Sequence, residues 1–203
     1  MKHMKLSAVL LAIFVLAPFT AEAASTASTK VVQGFYNRLV DTMKKGDQLG
    51  YAGRYKSLAP IIKSSFNLPL MTRFAVGPAW SNTQPAEQKQ LVSAFSDFSV
   101  ATYASRFAKY DGEKFEVVGE KPASNGGTIV ETKLTPKDSE PIALNYLVQK
   151  DDTGTLRIVD VFLDATISEL ATRRAEFSSI LNRDGVSALV TTLSEKSKQM
   201  GPS

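Results

Sequence analysis

Asp160 is a carboxylate set in an apolar run, Leu156–Leu163, and Tyr146 is a phenol on the run before it. A buried carboxylate beside a phenol can do acid–base work in a concave site. The same Asp160, satisfied by an arginine or by backbone N–H groups, would be structural. Arg173-Arg174 could clamp an anion bidentately, or pair with Glu169 and Glu176 along one helix. Trp80 suits the mouth of a cavity as well as a plugged core. Gly126-Gly127 is no phosphate loop, because a strand and not a helix follows it.

Absent residue types narrow the chemistry further. The chain has no cysteine, and His3 is its one histidine. If His3 leaves with a signal sequence, the mature chain has neither a Ser-His-Asp nor a Cys-His arrangement. It also lacks thiolate and imidazole metal ligands, and no loop of the EF-hand pattern appears. No metal and no cofactor is expected.

The start of the chain reads as an address. Lys2, His3 and Lys5 precede an apolar run over residues 6–19, and Ala21-Glu22-Ala23 offers the small residues that a signal peptidase reads. The run is short of the ~20 residues a spanning helix needs. A secretory signal over residues 1–23 is therefore expected, followed by one exported domain over residues 24–203. Without Lys2, Lys5 and Glu22, 22 basic and 19 acidic residues remain, a net charge of +3. The basic residues are scattered among acidic ones, which describes a solvated surface and no nucleic-acid footprint.

These residues need elements to hold them. Residues 31–45 carry Val32, Phe35, Tyr36, Leu39, Val40 and Met43 on one helical face, and Gly46 ends that helix. Residues 51–66 form a second helix that Pro60 should kink or split. Asn67 caps a short helix with Pro69 in its first turn, which stops at Gly77-Pro78. Thr83, Pro85 and Glu87 mark the start of a long helix to about Lys109, with a buried stripe of Leu91, Phe95, Phe98, Thr102, Tyr103 and Phe107. From Lys114 the period becomes two. Residues 114–120, 128–135, 141–150 and 156–163 read as four strands, the first two joined by the turn Ser124-Asn125-Gly126-Gly127. One face of the third strand holds Ile142, Leu144, Tyr146 and Val148. One face of the fourth holds Val159, Val161 and Leu163, with Ile158 and Phe162 opposite. Both faces being apolar suits a strand covered on both sides. A helix then carries Ile167, Leu170, Ala171, Arg174, Phe177, Ile180 and Leu181, Gly185 breaks it, and a last amphipathic helix follows.

The order implies an α+β domain, a curved four-stranded antiparallel sheet packed against a cluster of helices. Phe66, Met71, Phe74, Phe95, Phe98, Tyr103 and Phe107 lie on helices that would face it. They either fill one another's gaps as a core or line a hollow.

The chain resembles the periplasmic lipid-carrier proteins of the toluene-tolerance and MlaC type. The residues that carry the likeness are Val76-Gly77-Pro78-Ala79-Trp80, Phe95 and Phe98, Tyr103, Tyr110-Asp111-Gly112, Asp160, Ser168, Arg174-Ala175-Glu176-Phe177 and Gly185. Where the family has a Gly-Val-Ser turn, this chain has Ala165-Thr166-Ile167-Ser168, and Ile167-Ser168-Glu169-Leu170-Ala171 with Arg173-Arg174 is similar to the hopanoid-associated HpnM branch. The resemblance implies a cone-shaped fold of the NTF2 type enclosing an apolar cavity. The ligand-contacting residues would be Met71, Phe74, Trp80, Phe95, Phe98, Tyr103, Phe107, Leu144, Tyr146, Val148, Val159, Val161, Leu163 and Phe177. It implies a carrier for phospholipid or hopanoid, with an inner-membrane ABC transporter complex and an outer-membrane donor or acceptor as partners. Two other readings stand beside it: a cone-shaped α+β enzyme with Asp160 as base, and an adaptor with a solid core.

Overall fold

The computed structural model describes residues 26–201, and the expected signal sequence lies outside them. Helix α1, Ala27–Lys44, begins where the Thr26 hydroxyl accepts from the Thr29 N–H at 3.2 Å. It buries Val32, Phe35, Tyr36, Leu39 and Met43 at helical spacing. Helix α2, Gly46–Ser65, starts in close contact with the chain at residue 108, where a β-carbon on Gly46 would run into the Ala108 carbonyl. Pro60 does not split α2. The non-helical backbone lies at Gly50, φ 58° and ψ −175°. Pro60 and Lys56 both face solvent, so the carbonyl freed by the missing N–H meets water.

Helix α3, Leu68–Val76, is capped by Asn67, whose side-chain oxygen accepts from the Leu70 N–H at 3.2 Å. A 3-10 turn, Gly77–Asn82, leads to α4, Pro85–Arg106. Thr83 is not the cap expected for α4, because its hydroxyl donates back to the Ala79 carbonyl at 2.8 Å. Gln84 occupies that position, and its N–H donates to the Glu87 carboxylate at 3.3 Å.

The sheet is an antiparallel meander in the order β1-β2-β3-β4-β5. Its strands are Lys114–Pro122, Thr128–Thr135, Ile142–Lys150, Leu156–Leu163 and Ile167–Ser168. It has five strands where four were expected. The fifth is only two residues long, too short for a period to show, and it follows a turn with no glycine: Asp164 and Ala165 adopt φ 48° and 62°. Ile167, expected on a helix, therefore lies in β5, and α5, Glu169–Gln199, starts two residues later under a Ser168 cap.

A bulge in β4 changes which residues face the helices. Tyr146 pairs with Val161 but Val148 pairs with Ile158, so Val159 is the extra residue. Ile158, not Val159, joins Val161 on the face that carries the core. Helices α1, α2, α3 and α5 all pack on β4, and residues 158–161 are buried. The junction of α2 and α3 is tied to the same strand, where the Asn67 N–H donates to the Ile158 carbonyl at 2.8 Å. Gly185, φ 79° and ψ −174°, divides α5. Both halves meet α4: Phe177 before the break packs on Phe95, and Val190 and Ser194 after it lie beside Ala94 and Asp97. Among the described residues no helix is long and apolar enough to cross a membrane.

Candidate functional site

Between the sheet and the helices lies a cavity of about 260 Å³, well beyond the ~10–15 Å³ that a single water requires. Four parts of the chain wall it. Ile62, Phe66, Leu68 and Met71 come from the α2–α3 corner. Phe95, Phe98, Ser99, Thr102, Tyr103, Arg106 and Phe107 come from successive turns of α4 and its end. Leu134, Ile142, Leu144, Tyr146, Val161 and Leu163 come from β2, β3 and β4. Glu169, Leu170 and Arg173 close one side from the start of α5. The 3.6-residue repeat of α4 and the two-residue repeat of the strands produce this convergence.

The aromatic residues inward of the cavity form a packed cluster. Phe35 meets Phe66 at 5.1 Å and Tyr103 at 5.2 Å, both edge-on, and Tyr103 stacks on Phe107 at 5.7 Å. The Tyr36 and Thr132 hydroxyls share a hydrogen bond of 2.6 Å. Burial pushes the Tyr36 phenol up to about 12 and raises those of Tyr103 and Tyr146 well above the usual tyrosine range. Two neutral phenols, Tyr103 and Tyr146, therefore stand among the apolar side chains of the wall.

Of the residues expected at the ligand, Met71, Phe95, Phe98, Tyr103, Phe107, Leu144, Tyr146, Val161 and Leu163 are brought together on this cavity. Five are placed elsewhere. Phe74 is 51% exposed, because the buried stripe of α3 runs through Leu68, Met71, Thr72, Ala75 and Val76 and leaves position 74 outside it. Trp80 packs part-buried from the 3-10 turn. Val148 is buried beyond the cavity wall, and Val159 is turned aside by the bulge. Phe177 stands behind Phe95, ring centres 6.2 Å apart and edge-on. Sequence reasoning missed Ile62, Leu68 and Leu134, and it missed the charges at the cavity. The sequence offers Arg173 with Arg174 as an anion clamp or as a helical partner of Glu169 and Glu176, and neither reading places it, Glu169 or Arg106 at a cavity.

Asp160 is not in the cavity. Its carboxylate accepts from the Val161 N–H at 2.7 Å, the Ser168 hydroxyl at 2.6 Å and the Leu170 N–H at 3.2 Å. No arginine pairs with it among the described residues. The group pins β5 and the first turn of α5 to β4, and burial, opposed by these donors, raises its pKa.

The fold matches a structure described as the phospholipid-binding protein from Ralstonia solanacearum in complex with a phospholipid, at a TM-score of 0.70 and 22% identity, over 85% of this chain and 98% of that one. The family model described as MlaC protein matches residues 33–195, most of the chain, and this protein belongs to the MlaC family.

Proposed function

We propose that this protein is a non-enzymatic periplasmic carrier that holds a phospholipid by its tails and moves it between the inner and outer membranes as the soluble component of an ABC transport system. The apolar cavity between sheet and helices carries the reading. Each methylene withdrawn from water is worth about 0.8 kcal/mol, so two chains of about 15 carbons cost on the order of 20 kcal/mol to expose. A cavity walled by Phe98, Leu144, Leu163 and their neighbours offers tails an apolar environment in transit. Membership of the MlaC family and the likeness to a structure holding a phospholipid support the same ligand class. Residues 1–23 serve as the export signal.

The test is extraction. Delipidated protein mixed with vesicles of radiolabelled phospholipid should leave with about one lipid per chain. Protein that emerges without label overturns the proposal, and preferential uptake of a hopanoid would move it to that lipid class.

A further inference from the structure

Tails alone require no charge, yet three charged side chains border one side of the cavity: Arg106 from α4, and Glu169 and Arg173 from α5. Glu169 stands between the two arginines, 4.0 Å from Arg106 and 3.6 Å from Arg173. Neither contact is a hydrogen bond. Arg173 is the anchored member. Its side chain is 17% exposed, its guanidinium carbon lies 5.1 Å over the Phe98 ring, and one nitrogen donates to Glu176 at 3.0 Å. A guanidinium carries five N–H donors, so donors remain on Arg173 beside the cavity, and Arg106 makes no hydrogen bond through its side chain among the described residues.

We infer that Arg106, Glu169 and Arg173 form a head-group site for a phosphodiester that bears its own ammonium group. The two guanidiniums suit the phosphate, which they can grip in a forked geometry. Glu169 then faces the ammonium. The order of charges along the cluster, positive, negative, positive, complements the phosphate and ammonium of a zwitterionic head. A head group with phosphate and no ammonium leaves Glu169 facing an anion. An uncharged head engages none of the three. This inference rests on the carrier reading, because the tails place the head at the cluster.

Delipidated protein is offered vesicles doped with phosphatidylethanolamine, phosphatidylglycerol or diacylglycerol of identical tails. Phosphatidylethanolamine should load on the order of tenfold better than diacylglycerol, the scale of one charge-assisted hydrogen bond, with phosphatidylglycerol between them. Glu169→Gln should bring phosphatidylglycerol level with phosphatidylethanolamine. Arg173→Gln should abolish the preference, so that phosphatidylethanolamine and diacylglycerol load the variant equally, the ratio of the two being the readout. If Arg173→Gln loses diacylglycerol as well, Arg106→Gln decides, since that side chain is 61% exposed: a several-fold fall in phosphatidylethanolamine supports the site, and an unchanged preference overturns it. Soluble glycerophosphoethanolamine at the same concentration should displace nothing, and displacement would make the cluster a site for a free ion. Equal loading of all three lipids by the unaltered protein overturns the head-group site and leaves the carrier reading standing. Failure to load any of them overturns the carrier reading itself.

Discussion

Tyr146 and Asp160 stand one residue out of register on adjacent strands and face opposite ways: Tyr146 pairs with Val161, and Asp160 pairs with Leu147. The phenol borders the cavity, while the carboxylate holds the start of α5. The carboxylate–phenol pair that an acid–base site would need is therefore not assembled. Asp160→Ala should leave the Leu170 N–H without its acceptor and lower stability by about 1–3 kcal/mol, a fall in Tm of several degrees by scanning calorimetry. Lipid uptake per folded molecule should be unchanged.

The pH dependence of that residue has a definite sign. Burial raises the Asp160 pKa above its value in the unfolded chain. Its contribution to stability is complete below the unfolded value, about 4, and is lost as the pH rises through the folded-state value. Urea unfolding of the wild type compared with Asp160→Asn, from pH 4 upward, should show the wild type losing stability relative to the variant. A constant difference would contradict the assignment.

Phenols make the opposite end of the range informative. Tyr36, Tyr103 and Tyr146 have pKa values raised chiefly by burial. Their contribution is complete below about pH 10 and is lost as the pH climbs through the folded values. Tyrosinate absorbance at 295 nm should show these three ionising together with the loss of circular dichroism. Early ionisation of all six tyrosines in a folded protein would contradict their burial.

Two glycines should differ sharply from a third. Gly185 at φ 79°, ψ −174° and Gly50 at φ 58°, ψ −175° occupy backbone that only glycine adopts readily. Alanine at either should cost about 1–3 kcal/mol. Gly34 lies exposed inside α1 with nothing within 4 Å of an added β-carbon. Alanine there should stabilise by up to about 1 kcal/mol. Thermal melts of the three variants check the contrast.

Phe74 and Phe95 test the placement of the aromatic residues. Phe95, 3% exposed, should cost about 3–5 kcal/mol on truncation to alanine. Phe74, half in solvent, should cost about 0.5 kcal/mol or less, with uptake of labelled lipid undiminished.

Much of this fold was legible from periodicity and punctuation. The strands Thr128–Thr135 and Leu156–Leu163, the Asn67 cap, the stop at Gly77 and the break at Gly185 each have a local cause. What was not legible is set by tertiary contacts. The bulge at Val159 is a pairing event between two strands, with no mark in either run, and it swaps Ile158 for Val159 on the core face. β5 depends on two non-glycine residues in left-handed conformation, which carry no turn signal. Phe74 looked like core because it is aromatic, whereas the stripe of α3 is fixed by which side meets α4 and α5. The charges of Arg106, Glu169 and Arg173 come together only when α4 and α5 are packed.

Photocrosslinking locates the tails most directly. A phospholipid with a diazirine near the end of one tail, loaded into the protein and irradiated, should attach to peptides that contain the cavity walls, such as those of Tyr103 and of Leu144 and Tyr146. Labelling confined to exposed residues such as Phe74, with the cavity walls unmarked, would contradict the claim that the tails lie between the sheet and the helices.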